Sequence, residues 1–168
     1  TIGHLDIIER AIKVFDEVLT VGPIYRDGKR KDAESFGIVH LEIINDSDMP
    51  WLISWGTIKI SIRDNTIERP IYNKTGMLRL DDNPFKINTK THEMVTFLFA
   101  FESNDCLTLR LDEDGHTPYD TITSVTLYDT DDKQYPSPEK KVFLSVKGDV
   151  LHKTKRLYKC LRNSLIKD

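Results

Sequence analysis

The sequence predicts a mainly β domain, an antiparallel β-sandwich of seven to eight strands with an amphipathic helix at each end. Two observations support the strands. Apolar and polar residues alternate through residues 36–45 and 53–63, which is typical of strands that bury one face. Further short runs follow at intervals of about 8–12 residues with turn residues between them, as in sandwiches. The helices are predicted by apolar stripes with helical spacing at both ends.

Residues 1–22 are predicted to form the first helix. Its apolar stripe recurs at steps of three and four residues: Leu5, Ile8, Ile12, Phe15 and Leu19. A second apolar stripe with the same spacing suggests that this helix packs against more than one neighbour. Residues 23–35 are charged and rich in turn residues, so we expect a solvated linker.

Residues 36–146 are predicted to form the sandwich itself. The run at 92–101 is apolar on both faces, which predicts a central strand, and the alternation at 106–111 predicts a further strand. At the level of fold alone, the pattern is similar to the immunoglobulin-like (Ig-like) class, without the Cys and Trp signature of antibody-type domains. The predicted division of the chain is 1–22, 23–35, 36–146 and 147–168.

The last segment, 147–168, is predicted to be a basic amphipathic helix. It carries a formal charge of +5, which leaves −8 for the rest of the chain. Its cations are candidates for contact with a partner: Lys153, Lys155, Arg156, Lys159 and Arg162. An acidic protein, the domain's own acidic face, nucleic acid or an anionic membrane would suit them, and a plain solvated helix face is the simpler interpretation. The N-terminal stripe, with Leu5, Ile8, Ile12 and Phe15, is a second possible partner-binding surface. Packing within the chain against the sandwich or the C-terminal helix is the favoured interpretation, and a dimer contact or a link to an upstream region is the alternative.

Two acidic segments supply oxygen ligands of the kind that Ca²⁺ prefers. They contain Asp112, Asp114 and Asp120, and Asp129, Asp131 and Asp132. Neither meets the twelve-residue EF-hand frame, and Asp and Gly are expected in β-turns for backbone reasons. We therefore interpret both segments as turns.

Two tryptophans lie four residues apart in the second alternating run. Trp51 and Trp55 share a face that is out of phase with Ile58. A bulge at Gly56 would restore the phase and place both rings in the core, which we favour. Without it, they would form an exposed surface for carbohydrate or protein.

Catalytic and metal-binding patterns are missing from the sequence. The five histidines are dispersed, there is no nucleophile motif or phosphate-binding glycine loop, and Cys106 and Cys160 lack metal-ligand spacing. We predict no enzymatic activity, no catalytic residues, no cofactor and no metal. Two thiols without a disulfide framework suggest the reducing cytoplasm, the alternative being a soluble domain of a membrane-anchored protein.

These observations predict a non-enzymatic binding or assembly module, either whole or an accessory domain of a larger protein. Its expected partner is another protein or a second copy of the chain, and no small-molecule substrate is identified. The alternative is a polyanion binder, for nucleic acid or an anionic membrane, that acts through the basic C-terminal helix.

Overall fold

The computed structural model describes residues 9–26, 29–73, 84–110 and 121–147. Ten strands and one short helix lie in these ranges. In chain order they are β1 (Arg10–Val14), β2 (Val18–Arg26), β3 (Lys29–Asn45), β4 (Trp51–Ile62), β5 (Asn65–Asn73), β6 (Phe85–Ile87), β7 (Thr91–Ala100), α1 (Ser103–Leu109), β8 (Thr121–Asp129), β9 (Gln134–Pro136) and β10 (Lys140–Val146).

Seven of these strands close into a β-barrel in the order β4, β5, β7, β3, β2, β10 and β8. The barrel closes because β8 pairs with β4 as well as with β10. The β2–β10 pair is parallel and its neighbours in the barrel are antiparallel. Three short strands extend the barrel at its rim, since β1 pairs with β3, β6 with β4 and β9 with β8.

The predicted Ig-like sandwich flanked by two helices is therefore wrong. Residues alternate between an inner and an outer face in a sandwich strand and in a barrel strand alike, so the pattern along the chain does not separate the two. The difference lies in the β4–β8 pairing, which turns two potential edges into one continuous sheet.

Apolar side chains from all seven barrel strands fill the core. Its largest fully buried members are Trp51, Phe97, Phe99 and Phe101, together with isoleucines, leucines and valines of every barrel strand. Gly37 of β3 lies opposite Phe99 of β7. A Cβ at position 37 would come within 2.0 Å of Phe99 Cζ, so the phenyl ring occupies the space of the missing side chain.

The predicted N-terminal helix is also wrong where its residues are described. Ile12 and Val14 of β1 are buried, and so are Leu19 and Val21 of β2, which is the period-2 pattern of strands. Residues 15–17 interrupt the two strands and shift the phase between them. Among the apolar residues at 10–21, the subset Ile12, Phe15 and Leu19 is spaced by three and four residues, which imitates a helix.

The charged residues predicted as a linker, 23–35, run through β2 and β3 rather than through a loop. The two strands pair as far as Arg26 and Lys29, with a register shift between Pro23 and Tyr25. Backbone pairing needs no apolar side chains, so a charged composition does not exclude a strand. The domain boundary predicted at residue 36 therefore cuts through β3.

The strand predicted at 106–111 is helical as far as it is described. Helix α1 brings Cys106 and Leu109, three residues apart, into the core together. Its first turn is closed by the Asp105 carboxylate, which accepts a hydrogen bond of 2.9 Å from the Glu102 backbone N–H. The predicted C-terminal helix, from residue 148 onward, lies outside the described residues.

Candidate functional site

Most residues predicted to contact a partner also lie outside the described residues. They are Lys153, Lys155, Arg156, Lys159, Arg162, Leu5 and Ile8. The two remaining ones are separated by the fold, because Ile12 is 2% exposed in the barrel core and Phe15 is 59% exposed. Phe15 is thus the predicted contact residue that the structure places on the surface.

Phe15 lies in a bulge between β1 and β2, residues 15–17, which we call the Phe15 loop. Five residues separate Val14 from Thr20, whereas only two separate their β3 partners, Leu41 and Ile38. Three residues therefore have no counterpart on β3, and the chain leaves the sheet at this point.

Asp16 and the backbone anchor the Phe15 loop to the barrel. Asp16 Oδ2 accepts a hydrogen bond of 2.5 Å from the His40 backbone N–H, and Asp16 Oδ1 lies 2.7 Å from His40 Nδ1. The Phe15 backbone N–H donates to the His40 carbonyl at 2.9 Å, and Lys140 Nζ donates to the Phe15 carbonyl at 2.8 Å. The Asp16 side chain is only 14% exposed, so its two bonds to His40 are partly shielded from water, whereas the Lys140 bond is exposed.

The Phe15 surface consists of three exposed apolar side chains, Phe15, Val18 and Ile38. Val18 is 49% exposed and Ile38 39%. Ile38 pairs with Thr20, and Val18 lies two residues before Thr20 on the same face, so Val18 and Ile38 are diagonal neighbours. Phe15 lies three residues before Val18, and its backbone N–H bonds to His40, two residues after Ile38. The three exposed apolar residues therefore belong to one region of the chain's outer surface at β2 and β3.

Charged side chains of both signs border the Phe15 surface. Lys13 and Glu17 are exposed and flank Phe15 along the chain, and Lys140 reaches the Phe15 carbonyl. An apolar centre with a polar rim is the usual anatomy of a protein contact surface. A rim that carries both signs can complement itself.

A second candidate site is an open pocket of about 580 Å³ at the barrel rim, which we call the Arg10 pocket. It lies beside β1 and β9, the rim strands that continue the walls of β2 and β10. Its lining residues are Glu9, Arg10, Ser47, Asp48, Met49, Lys133 and Tyr135.

The Arg10 guanidinium spans this pocket. Nη1 donates to the Tyr135 hydroxyl at 3.4 Å, and Nη2 donates to the carbonyls of Met49 and Pro50 at 3.3 and 3.2 Å. The guanidinium carbon lies 5.7 Å from the centroid of the Trp51 ring. Arg10 Nε and Trp51 Nε1 are buried, and neither has a hydrogen-bond partner in the described part of the chain.

Tyr135 connects the pocket to the acidic turn at 129–132. The Tyr135 ring centroid lies 4.6 Å from that of Trp51, and Lys133 Nζ lies over the Tyr135 ring, 5.3 Å from its centroid. The Tyr135 hydroxyl donates to Asp129 Oδ2 at 3.3 Å. Asp129 Oδ1 accepts the backbone N–H groups of Asp131 and Lys133 at 2.9 Å each. The Asp129 carboxylate therefore holds the β8–β9 turn together.

Metal ligation finds no support among the described residues, where no group of three or more His, Cys, Asp or Glu side chains could hold an ion. The second acidic segment, with Asp112, Asp114 and Asp120, lies outside them. The predicted absence of metal, cofactor and catalytic residues stays a prediction.

The two tryptophans occupy different environments, so the prediction that both lie in the core is wrong for one of them. Trp51 is fully buried, whereas Trp55 is 38% exposed. On the outer face, Trp55 stacks on Tyr128 with ring centroids 3.6 Å apart and an interplanar angle of 2°. The first half of β4 therefore contributes to two aromatic pairs, Trp51 with Tyr135 on the inner face and Trp55 with Tyr128 on the outer face.

The predicted bulge in β4 is present, two residues before the expected position. Ile53 pairs with Asp129 and Trp55 with Tyr128, which are consecutive on β8, so Ser54 has no partner there. This extra residue sends Ile53 inward and Trp55 outward.

A buried ion pair that the sequence did not predict joins β5 to α1. Arg69 Nε donates to Asp105 Oδ2 at 3.1 Å, and Arg69 Nη2 donates to Asp105 Oδ1. Asp105 is 2% exposed, whereas the Arg69 side chain is 34% exposed. The hydrogen bond that Arg69 donates to Asp105 raises the pKa of Arg69 above its ordinary value. The two residues are far apart in sequence, and neither belongs to a recognisable local motif.

A further histidine and a cysteine lie among the described residues. His92 Nε2 lies 2.9 Å from Asp46 Oδ1. Cys106 is buried, and Cys160 is not among the described residues. Across the described ranges, no helix has the length and apolar character that a membrane span requires.

Comparisons with known proteins add little to this geometry. No family model matches the sequence, and no curated protein matches it. One solved structure, the X-ray structure of Northeast Structural Genomics Consortium target SoR45, is 10% identical with a TM-score of 0.38, over 83% of this chain and 89% of that one. A likeness at this level carries no argument about function.

Proposed function

We propose that this protein is a non-enzymatic assembly module that binds a second copy of itself through the Phe15 surface. The observation that supports this most strongly is an aromatic side chain that is 59% exposed although its loop is anchored by Asp16, His40 and Lys140. Aromatic residues are frequent hot spots of protein interfaces, and an ordered one loses little conformational entropy on binding.

The charge distribution favours a second copy as the partner. In a two-fold symmetric contact the same patch faces itself, so it has to be complementary to itself. Lys13 and Glu17 lie on either side of Phe15, and a two-fold axis near Phe15 brings each within reach of the other in the opposite copy. A rim of one sign would instead favour an unlike partner.

The test is the oligomeric state measured by sedimentation velocity over a range of concentrations. We expect the wild-type protein to form a dimer that dissociates on dilution, and Phe15→Glu to weaken the dimer at least about tenfold, because a carboxylate would be buried without a partner. The matched control is Leu52→Ser, which removes a side chain of 41% exposure from β4, across the barrel from β2 and β3. The control should dimerise like the wild type.

A second variant tests whether the hydrogen bonds that fix the Phe15 loop contribute to dimerisation. Asp16→Ala keeps Phe15 but removes both bonds to His40, so the loop has to be ordered on binding. We expect weaker dimerisation than in the wild type, by less than in Phe15→Glu. A wild-type protein that is monomeric at every concentration, or a Phe15→Glu dimer as tight as the wild type, would contradict the proposal.

The proposal has two further parts, the cellular compartment and the binding of polyanions. Cytoplasmic localisation is supported by the two cysteines of the sequence, whose spacing forms no recognisable disulfide framework. Polyanion binding by the C-terminal cations stays a prediction, because those residues lie outside the described ranges.

A further inference from the structure

The Arg10 pocket contains two cations, Arg10 and Lys133, that form no ion pair with a carboxylate of the described residues. The described ion pairs use His40, Arg69, Lys90 and His92, and neither Arg10 nor Lys133 takes part in one. The Arg10 donors instead reach two carbonyls and a hydroxyl, and Lys133 lies over the Tyr135 ring. Both positive charges therefore remain available to an anion.

Two buried N–H donors have no hydrogen-bond partner in the described part of the chain, one on Arg10 and one on Trp51, which packs against two lining residues of the pocket. Trp51 is 0% exposed, and its ring centroid lies 5.7 Å from the Arg10 guanidinium carbon and 4.6 Å from the Tyr135 ring centroid. Its Nε1 has no acceptor among the described residues. Arg10 Nε is in the same condition. A buried donor left unpaired is destabilising, so an oxygen acceptor within reach of these N–H groups would be stabilised.

We propose that the Arg10 pocket binds a small organic monocarboxylate, with its oxygens at Arg10 and Lys133 and its apolar end toward Met49. The volume of about 580 Å³ lies within the range of small-molecule sites. Glu9 and Asp48 also line the pocket, and their charge disfavours an anion that carries more than one negative charge. The proposal does not depend on the assembly function.

The first experiment uses Trp51 as the reporter, in a Trp55→Phe background in which it is the only tryptophan. Propionate, acetate and inorganic phosphate are titrated separately against chloride at matched ionic strength. We expect a saturable change of Trp51 emission with the two carboxylates, a weaker response to phosphate and none to chloride. A chloride-like response to both carboxylates, or tighter binding of phosphate, would overturn the proposal.

Substitutions then assign the binding to the pocket. Lys133→Gln should weaken propionate up to about fivefold, as expected for a solvent-exposed charge, and Lys59→Gln on the outer face of β4 is the matched control without effect. Arg10→Met should weaken it about tenfold or more. Arg10 also donates hydrogen bonds to the Met49 and Pro50 carbonyls. The melting temperature of Arg10→Met is therefore measured as well, to separate a loss of binding from a loss of stability. Equal propionate affinities of Lys133→Gln and Lys59→Gln would contradict the assignment.

Discussion

At the scale of single residues, the Arg69–Asp105 pair shows how burial makes two partners unequal. The Asp105 carboxylate is almost completely enclosed, whereas a third of the Arg69 side chain faces water. Because the pKa of Arg69 is raised, the contribution of its charge beside the Asp105 carboxylate is fully present below the ordinary arginine pKa and is lost as the pH rises through the raised value. Arg69 therefore keeps its charge at neutral pH.

This inequality predicts an order of stabilities. Arg69→Met leaves a buried carboxylate without its cation and should lower the free energy of unfolding by about 3–5 kcal/mol. Asp105→Asn leaves a guanidinium that water can reach, so we expect a smaller loss of about 1–3 kcal/mol. Urea denaturation of both variants checks the order. A larger loss in Asp105→Asn would show that capping of α1, rather than the ion pair, is the main role of Asp105.

At the scale of strands and helices, an irregularity such as a bulge limits how well the alternation of apolar and polar residues predicts a strand. Strands β4 and β8, and residues 36–45 of β3, are predictable because each is half-buried and alternates over most of its length. The Phe15 loop breaks the alternation at 10–21 and produces a helical spacing. Phe15 belongs to the predicted helix stripe, yet it is exposed because it lies in a bulge of a strand.

The contact between Gly37 and Phe99 gives a prediction at the same scale. Gly37→Ala places a methyl group against the Phe99 ring on the paired strand and should destabilise the protein by about 1–3 kcal/mol. Gly22→Ala is the matched control, since it is also in a barrel strand and nothing lies within 4 Å of the position that its new methyl group would take. Thermal denaturation should show a lower melting temperature for the first variant alone. Equal melting temperatures would mean that the ring moves aside without cost.

At the scale of the whole molecule, closure and both candidate sites depend on contacts between residues far apart in sequence. No local pattern marks the pairing of β4 with β8, which separates a barrel from a sandwich. The Arg10 pocket is lined by residues at or near β1, the β3–β4 turn and the β8–β9 turn. The N–H groups of Arg10 Nε and Trp51 Nε1 become buried without a partner only when the chain folds. The Phe15 surface likewise needs the β2–β3 register to place Val18 beside Ile38.

The most direct test of self-assembly through the Phe15 surface is an isotope-filtered NOE experiment on a mixture of isotope-labelled and unlabelled chains. Only contacts between copies appear in it. We predict cross-peaks between the Phe15 ring protons of one copy and the methyl protons of Val18 and Ile38 in the other, because a two-fold axis at this patch brings them together. A dimer whose intermolecular cross-peaks arise from another face of the barrel, with none from Phe15, would contradict the account.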